Sequence, residues 1–229
     1  MEVELLASTT GHASLWRWIE SVDPEPFDDD TYGDLLPEYA GRTCYRSYSR
    51  PRPETATNES YLHRTVVEQH HESIMEHSSA SFRVTGVSRH LLGELTRHRF
   101  LSFSVESLRY CPPRDYAVHP TLAEFDLVND LNLHWQASLD YYHNVYDYLI
   151  SKGLKKKQAA EAAAQFLPLA TSTDLVVSGN FRAWRDVLGK RIDPAANAEI
   201  RELANKILTL LKDIAPNSFQ DFEDGTWTS

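Results

Sequence analysis

The stretch Glu94-Leu95-Thr96-Arg97-His98-Arg99-Phe100-Leu101-Ser102-Phe103-Ser104-Val105-Glu106-Ser107-Leu108-Arg109-Tyr110 carries the richest chemistry in the chain. It opens on the end of an apolar pattern, Leu91, Leu92 and Leu95, which predicts a helix over Ser88 to Arg97. Consecutive helical residues point about 100° apart, so Arg97 and Arg99 cannot both reach one partner from a helix. Where a helix gives way to an extended segment, the triplet Arg97-His98-Arg99 can instead serve two ligands stacked side by side. Ser107 and Arg109, two apart, would share a face of that extended stretch. A hydroxyl beside a guanidinium suits a phosphate or a polarised carbonyl, because arginine offers a planar fork of donors. The plain alternative is a basic surface helix followed by a polar loop.

On the N-terminal side, Ser79 to Thr85 alternates, with Phe82 and Val84 on one side, as a half-buried strand does. Asn58 to Gln69 and Leu35 to Tyr45 have helical spacing, with Asn58 placed as an N-cap. Pro24 to Asp30 is polar and reads as a loop, and Met1 to Leu6 alternates weakly, as a strand. On the C-terminal side, Trp135, Leu139, Tyr142, Tyr146 and Leu149 fall on one helical face. Lys155 to Phe166 is an alanine-rich helix that Pro168 stops. Leu175 to Val177 predicts a short buried strand, and Ser178-Gly179-Asn180 opens another helix. Asp193-Pro194 is expected to cap the last helix, whose core stripe is Ile200, Leu203, Ile207, Leu210 and Ile214. No internal repeat, low-complexity tract or linker appears, so residues 1–229 read as a single α/β domain.

The 229 residues are 41% hydrophobic and 24% charged, ordinary values for a soluble domain with a full core. No apolar run is long enough for a bilayer, and Met1 to Leu6 lacks the plan of a signal peptide. The expected setting is the cytoplasm, where Cys44 and Cys111 stay free thiols. A net charge of −10 argues against general nucleic-acid binding. Acidic residues crowd Asp28-Asp29-Asp30 and Glu223-Asp224, while Arg89, His90, Arg97, His98, Arg99 and Arg109 lie between Arg83 and Arg114. One basic segment in an acidic chain points to a small anionic ligand.

The triplet Arg97-His98-Arg99, seven residues, Ser107 and then Arg109-Tyr110 resembles the signature of flavin-dependent thymidylate synthases. Three other segments agree in order: Gly41-Arg42-Thr43-Cys44-Tyr45, His71-Glu72-Ser73-Ile74-Met75-Glu76-His77, and Leu175 through Arg191 with Ser178-Gly179-Asn180-Phe181-Arg182. The resemblance spans about Tyr39 to Glu202. It implies an α/β (α+β) fold with a mixed or antiparallel central sheet flanked by helices. It implies C5 methylation of a uridine monophosphate, dUMP to dTMP, with bound FAD, NADPH as reductant and methylenetetrahydrofolate as carbon donor, in a homotetramer with shared sites. By the same resemblance, Ser107, Arg109 and Arg191 act in catalysis and, with Glu94 and Arg97, bind the nucleotide. Cys44, His71, Ser73, Glu76, Arg97, His98, Arg99, Ser104, Asn180, Arg182 and Asp186 would hold the cofactor.

Each assignment has a plainer counterpart. Asn180 can be only an N-cap, and Arg182 with Asp186, at i and i+4, only a surface ion pair. His71 and His77 lie six apart, not the four that a His-Glu-x-x-His zinc site needs, so no metal is expected. Cys111 abuts Pro112-Pro113 with no histidine placed to activate it, and is read as structural. Ser107 lacks an evident base and is read as a group that orients the nucleotide, not as a nucleophile. The chain also departs from the family pattern: Ala164 stands four before Pro168 where an arginine is usual, Ala195 where a histidine is, and Asp174 where an arginine is common. These departures leave open action on UMP in a specialised pathway, or a non-catalytic flavin-binding role.

Overall fold

The computed structural model describes residues 1–23, 32–223 and 226–227; the expected loop at Pro24 to Asp30 lies outside them. The strands β1 (Glu2–Ser8), β2 (Ser79–Ser88), β3 (Ser102–Val105) and β4 (Ser172–Asn180) form one sheet in the order β1-β2-β4-β3. Every neighbouring pair is antiparallel. Thr9 N–H donates to Ser79 O at one end of the first pair, and the Met1 backbone lies beside Gly86 at the other. In the middle pair Phe181 N–H donates to Ser78 O and Arg89 N–H to Thr171 O. In the last pair Glu106 N–H reaches Asp174 O, while Leu101 packs on Gly179.

β2 alternates as predicted, with Ala80, Phe82 and Val84 buried, and runs three residues further than expected. β4 corrects the expectation of a short buried strand over Leu175 to Val177: it has nine residues, with Thr173, Leu175 and Val177 inward and Val176 36% exposed. The polar residues Ser172, Asp174 and Ser178 tolerate the outer face, which is why the strand extends past its apolar centre.

The α-helices are α1 (Ala13–Val22), α2 (Tyr32–Tyr45), α3 (Asn58–Leu62), α4 (Arg89–Leu95), α5 (Pro120–Glu124), α6 (Val128–Ser151), α7 (Lys156–Ala163), α8 (Phe181–Arg191) and α9 (Ala198–Ile214). α1 and α5 were not anticipated. Two caps move. Thr57, not Asn58, caps α3, its hydroxyl accepting from Ser60 N–H, while Asn58 turns inward and is buried. Asn197, not Asp193-Pro194, caps α9; the Asp193 carboxylate accepts from Ala195 N–H and closes its own turn. The helix expected over Asn58 to Gln69 changes hydrogen-bond period midway, becoming a π-helix over His63–Glu68.

By contact density the chain forms two units. The first comprises Met1–Glu2, Arg83–Arg97 and Phe103–Val176, and the second Val3–Phe82, His98–Ser102 and Val177–Ser229. In the second unit Trp184 is fully buried, donates Nε1–H to Ala80 O at 3.1 Å and stands edge-on to Phe82. The α9 stripe is buried at Ile200, Leu203 and Ile207, but beyond Ile207 it rotates, so that Leu208 and Leu211 are buried and Leu210 and Ile214 only partly so. Each such large side chain contributes about 1.5–3 kcal/mol on leaving water.

This core also encloses charge. Asp34, Glu38 and Arg42 follow one another at i, i+4 and i+8 along α2, all at most 1% exposed. Glu38 accepts from Arg42 Nε at 2.6 Å, from Arg50 and from the Asn58 amide. Asp34 accepts from Asn217 N–H, Ser218 N–H and the Ser218 hydroxyl. Burial still dominates those hydrogen bonds and pushes the Asp34 carboxyl up to about 7. In the first unit α6 and α7 pack on each other, and a 3₁₀ turn at Ala164–Phe166 ends the alanine-rich segment ahead of Pro168.

Candidate active site

Arg97-His98-Arg99 falls between α4 and β3, as the sequence led us to expect. Arg97 N–H closes a turn on Glu94 O, and Leu101 N–H closes another on His98 O. The two arginines are exposed, and among the described residues neither has an ion-pair partner. His98 points the other way and is 8% exposed. Its Nδ1 lies 3.3 Å from Asp186 Oδ2, and its Nε2 accepts from Arg191 Nε at 3.0 Å. An Nε2 that accepts leaves the proton on Nδ1, facing the carboxylate, so the neutral ring links Asp186 to Arg191. Burial, aided by the Arg191 charge, lowers the His98 pKa against the pull of Asp186. Burial raises the Asp186 carboxyl, but hydrogen bonds from Lys190 and His98 outweigh it and hold it below its ordinary value.

The position of this segment is set by a close approach. Leu101 is 7% exposed, and a Cβ on Gly179 would fall 2.5 Å from its Cδ2. Next in sequence, Asn180 caps α8, its side-chain oxygen accepting from Ala183 N–H at 2.8 Å. Arg182 does not pair with Asp186; it reaches Glu76 at 2.5 Å and lies 4.0 Å from Glu72. Arg185, which the sequence did not single out, is buried and grips Asp221 with both terminal nitrogens. His71, Ser73 and Glu76 flank these contacts at the surface, on and beside the 3₁₀ turn Glu72–Glu76.

In the first unit, Ser107 and Arg109 lie in a turn and not in the extended run expected of them. Tyr110 N–H and Cys111 N–H both donate to Ser107 O, and Arg109 N–H donates to the Ser107 hydroxyl at 3.3 Å. A small hydroxyl residue followed by Leu-Arg-Tyr ahead of two prolines favours that reversal. Arg109 reaches Glu161 at 2.8 Å, both side chains half-exposed. Lys157 sits by the exposed Tyr110 ring, and its hydrogen bond lowers the phenol pKa. Ser104 is exposed on β3, and Glu94 is half-buried 3.8 Å from His90. Asp174, where the family commonly has arginine, accepts from Gly86 N–H and from Arg114, which also binds Glu106. Its role here is to tie the β2–β4–β3 edge. Ala164 begins the 3₁₀ turn and Ala195 is exposed.

The second unit holds a cleft of about 470 Å³ lined by residues of α2, the loop after it, α3 and the π-helix, with His71 at one side. Arg42 forms its floor, donating to Glu38, Ser47 O and Thr55 O with its guanidinium 4.3 Å over the Tyr61 ring. Cys44 is exposed near the end of α2, and both cysteines are free thiols. Among the described residues no three His, Cys, Asp or Glu side chains gather as a metal site requires, and no helix is long and apolar enough to cross a membrane.

The four-stranded antiparallel sheet and its helices define an α+β protein. Residues 29–217 match the family model described as thymidylate synthase complementing protein. A probable flavin-dependent thymidylate synthase of Mycobacterium phage L5 is 46% identical, over 90% of this chain and 87% of its own length. The flavin-dependent thymidylate synthase of Mycobacteroides abscessus is 42% identical, over 99% and 91%. Among solved structures, thymidylate synthase X (ThyX) from Helicobacter pylori, with FAD and dUMP, superposes with a TM-score of 0.64 at 23% identity, covering 98% of each chain. The chain belongs to the flavin-dependent thymidylate synthase family.

Proposed function

We propose that the chain catalyses reductive C5 methylation of dUMP to dTMP, with bound FAD, NADPH as reductant and methylenetetrahydrofolate as carbon donor. The near full-length match to flavin-dependent thymidylate synthases carries this reading. The side chains fit the flavin nucleotide. Arg97 and Arg99, exposed and without an ionic partner among the described residues, suit its diphosphate. Once bound, FAD supplies the hydride-transfer chemistry.

The residues of the chain then bind, orient and polarise. Arg191, oriented through Nε by His98, carries a planar guanidinium of the kind that suits a nucleotide oxygen. Ser107 and Arg109 present a hydroxyl and a guanidinium from one turn, suited to phosphate or a uracil carbonyl. Uracil C5 is a weak carbon nucleophile, and fixed positive charge around the ring is the means available to activate it. Among the described residues no histidine or carboxylate hydrogen-bonds the Ser107 hydroxyl, so it orients the nucleotide and does not attack it. Since Asp174 has its own structural partners, its replacement of arginine gives no reason to prefer UMP.

The enzyme works in the cytoplasm as a homotetramer with shared sites. In the first unit α6 leaves Leu133, Tyr141 and Tyr148 about 60% exposed, within an arc of about 80°, a face that a second copy would cover. Light scattering should give four times the 26.2 kDa chain mass; a monomer would sink that assembly. The cofactor is tested by spectroscopy. The purified protein should carry a flavin that NADPH bleaches and that dUMP with methylenetetrahydrofolate reoxidises without oxygen. A colourless protein that stays so with added FAD would overturn the reading.

A further inference from the structure

The cleft beside His71 has features that none of the residues assigned so far explain. Arg42 is spent on its floor. Two other lining arginines differ: Arg52 is exposed and Arg64 half-buried, and among the described residues neither meets a carboxylate. Between them the walls offer the Tyr45 and Tyr61 rings and the polar side chains of Thr65 and Gln69.

The backbone around this cleft is unusual in the same places. Of the four described non-glycine residues with left-handed φ, three adjoin the lining: Arg46 (51°), Arg50 (50°) and His70 (55°). Each such residue costs free energy and persists only where the surroundings impose it, which is why such outliers gather at binding sites. The π-helix is a second departure: Gln69 N–H reaches five residues back to Arg64 O, one more than an α-turn, a feature frequent at functional sites. Two guanidiniums with no ion pair among the described residues thus sit on a wall held by strained turns.

We propose that this cleft binds the dianionic end of a co-substrate, with Arg52 and Arg64 as its two cationic contacts. The inference rests on the proposed reaction, whose two co-substrates both carry such an end: the 2′-phosphate of NADPH, or the glutamate carboxylates of the folate. Both groups are planar-fork targets for arginine.

Titration calorimetry on the whole protein, with adenosine 2′,5′-bisphosphate and triglutamate as separate probes, tests this without requiring turnover. One probe should bind, and the double variant Arg52→Ala/Arg64→Ala should weaken it at least about tenfold, with Arg52→Lys/Arg64→Lys in between. Binding of the bisphosphate assigns the cleft to the reductant, and binding of triglutamate assigns it to the carbon donor. Neither probe binding, or equal binding by a double variant with unchanged circular dichroism, overturns the proposal. Because dUMP methylation is assayed separately, loss of the cleft and failure of the reaction are distinguishable.

Discussion

His98 stands in the middle of the basic triplet, yet its neighbours face solvent while it is buried against Asp186 and Arg191. The family resemblance places all three residues at the cofactor, and the turn at residues 98–101 faces the middle one inward. Its work is to position Arg191, and Asp186 fixes the tautomer that allows it. Asp186→Asn should therefore raise the KM for dUMP by about tenfold, the loss expected for a misplaced charged hydrogen bond. The neutral ring is the competent one, so nucleotide affinity should hold at neutral pH. It should weaken only as the pH falls through the lowered His98 pKa, beneath the ordinary 6.5. A KM that is flat with pH in the wild type, or unmoved in Asp186→Asn, would contradict this role.

At the scale of elements, what repeats was legible and what depends on a neighbour was not. The α6 stripe from Trp135 to Leu149 and the alternation of β2 mark their elements because the period is written in the residues. α1 carries no side-chain cap at His12, and its aromatic and β-branched residues have middling propensity, so nothing local announces it. The π-helix over His63–Glu68 is invisible because its residues keep ordinary helical spacing. Nor does any pattern show that Asp34, in the first turn of α2, lies under Asn217 and Ser218, far along the chain. That burial has a consequence for stability. With a folded pKa of about 7 against 3.8, the folded chain keeps a proton that the unfolded chain has released between about pH 4 and 7. Stability from this group therefore falls as pH rises through that window, by on the order of a few kcal/mol, and is flat above it. Urea midpoints measured across the window should fall less steeply for Asp34→Asn than for the wild type. Identical slopes would show that Asp34 titrates normally.

Across the whole molecule, the motifs in their order were legible because each is a short run of residues, and the family resemblance they carry implied an α+β fold with a mixed or antiparallel sheet; that the sheet is antiparallel throughout depends on strands far apart in the chain. The sequence did not carry the cleft beside His71, whose arginines belong to different elements and share no spacing, nor the structural use of Asp174. The proposal that joins these levels is chemical: C5 methylation of dUMP, undisturbed by the departures at Ala164, Asp174 and Ala195. The direct measurement is tritium release from C5-labelled dUMP and UMP, run in parallel with FAD, NADPH and methylenetetrahydrofolate. The account predicts release from dUMP well above UMP, reduced at least about tenfold in Arg109→Ala. Release from UMP above dUMP, or from neither nucleotide with flavin bound, would contradict it.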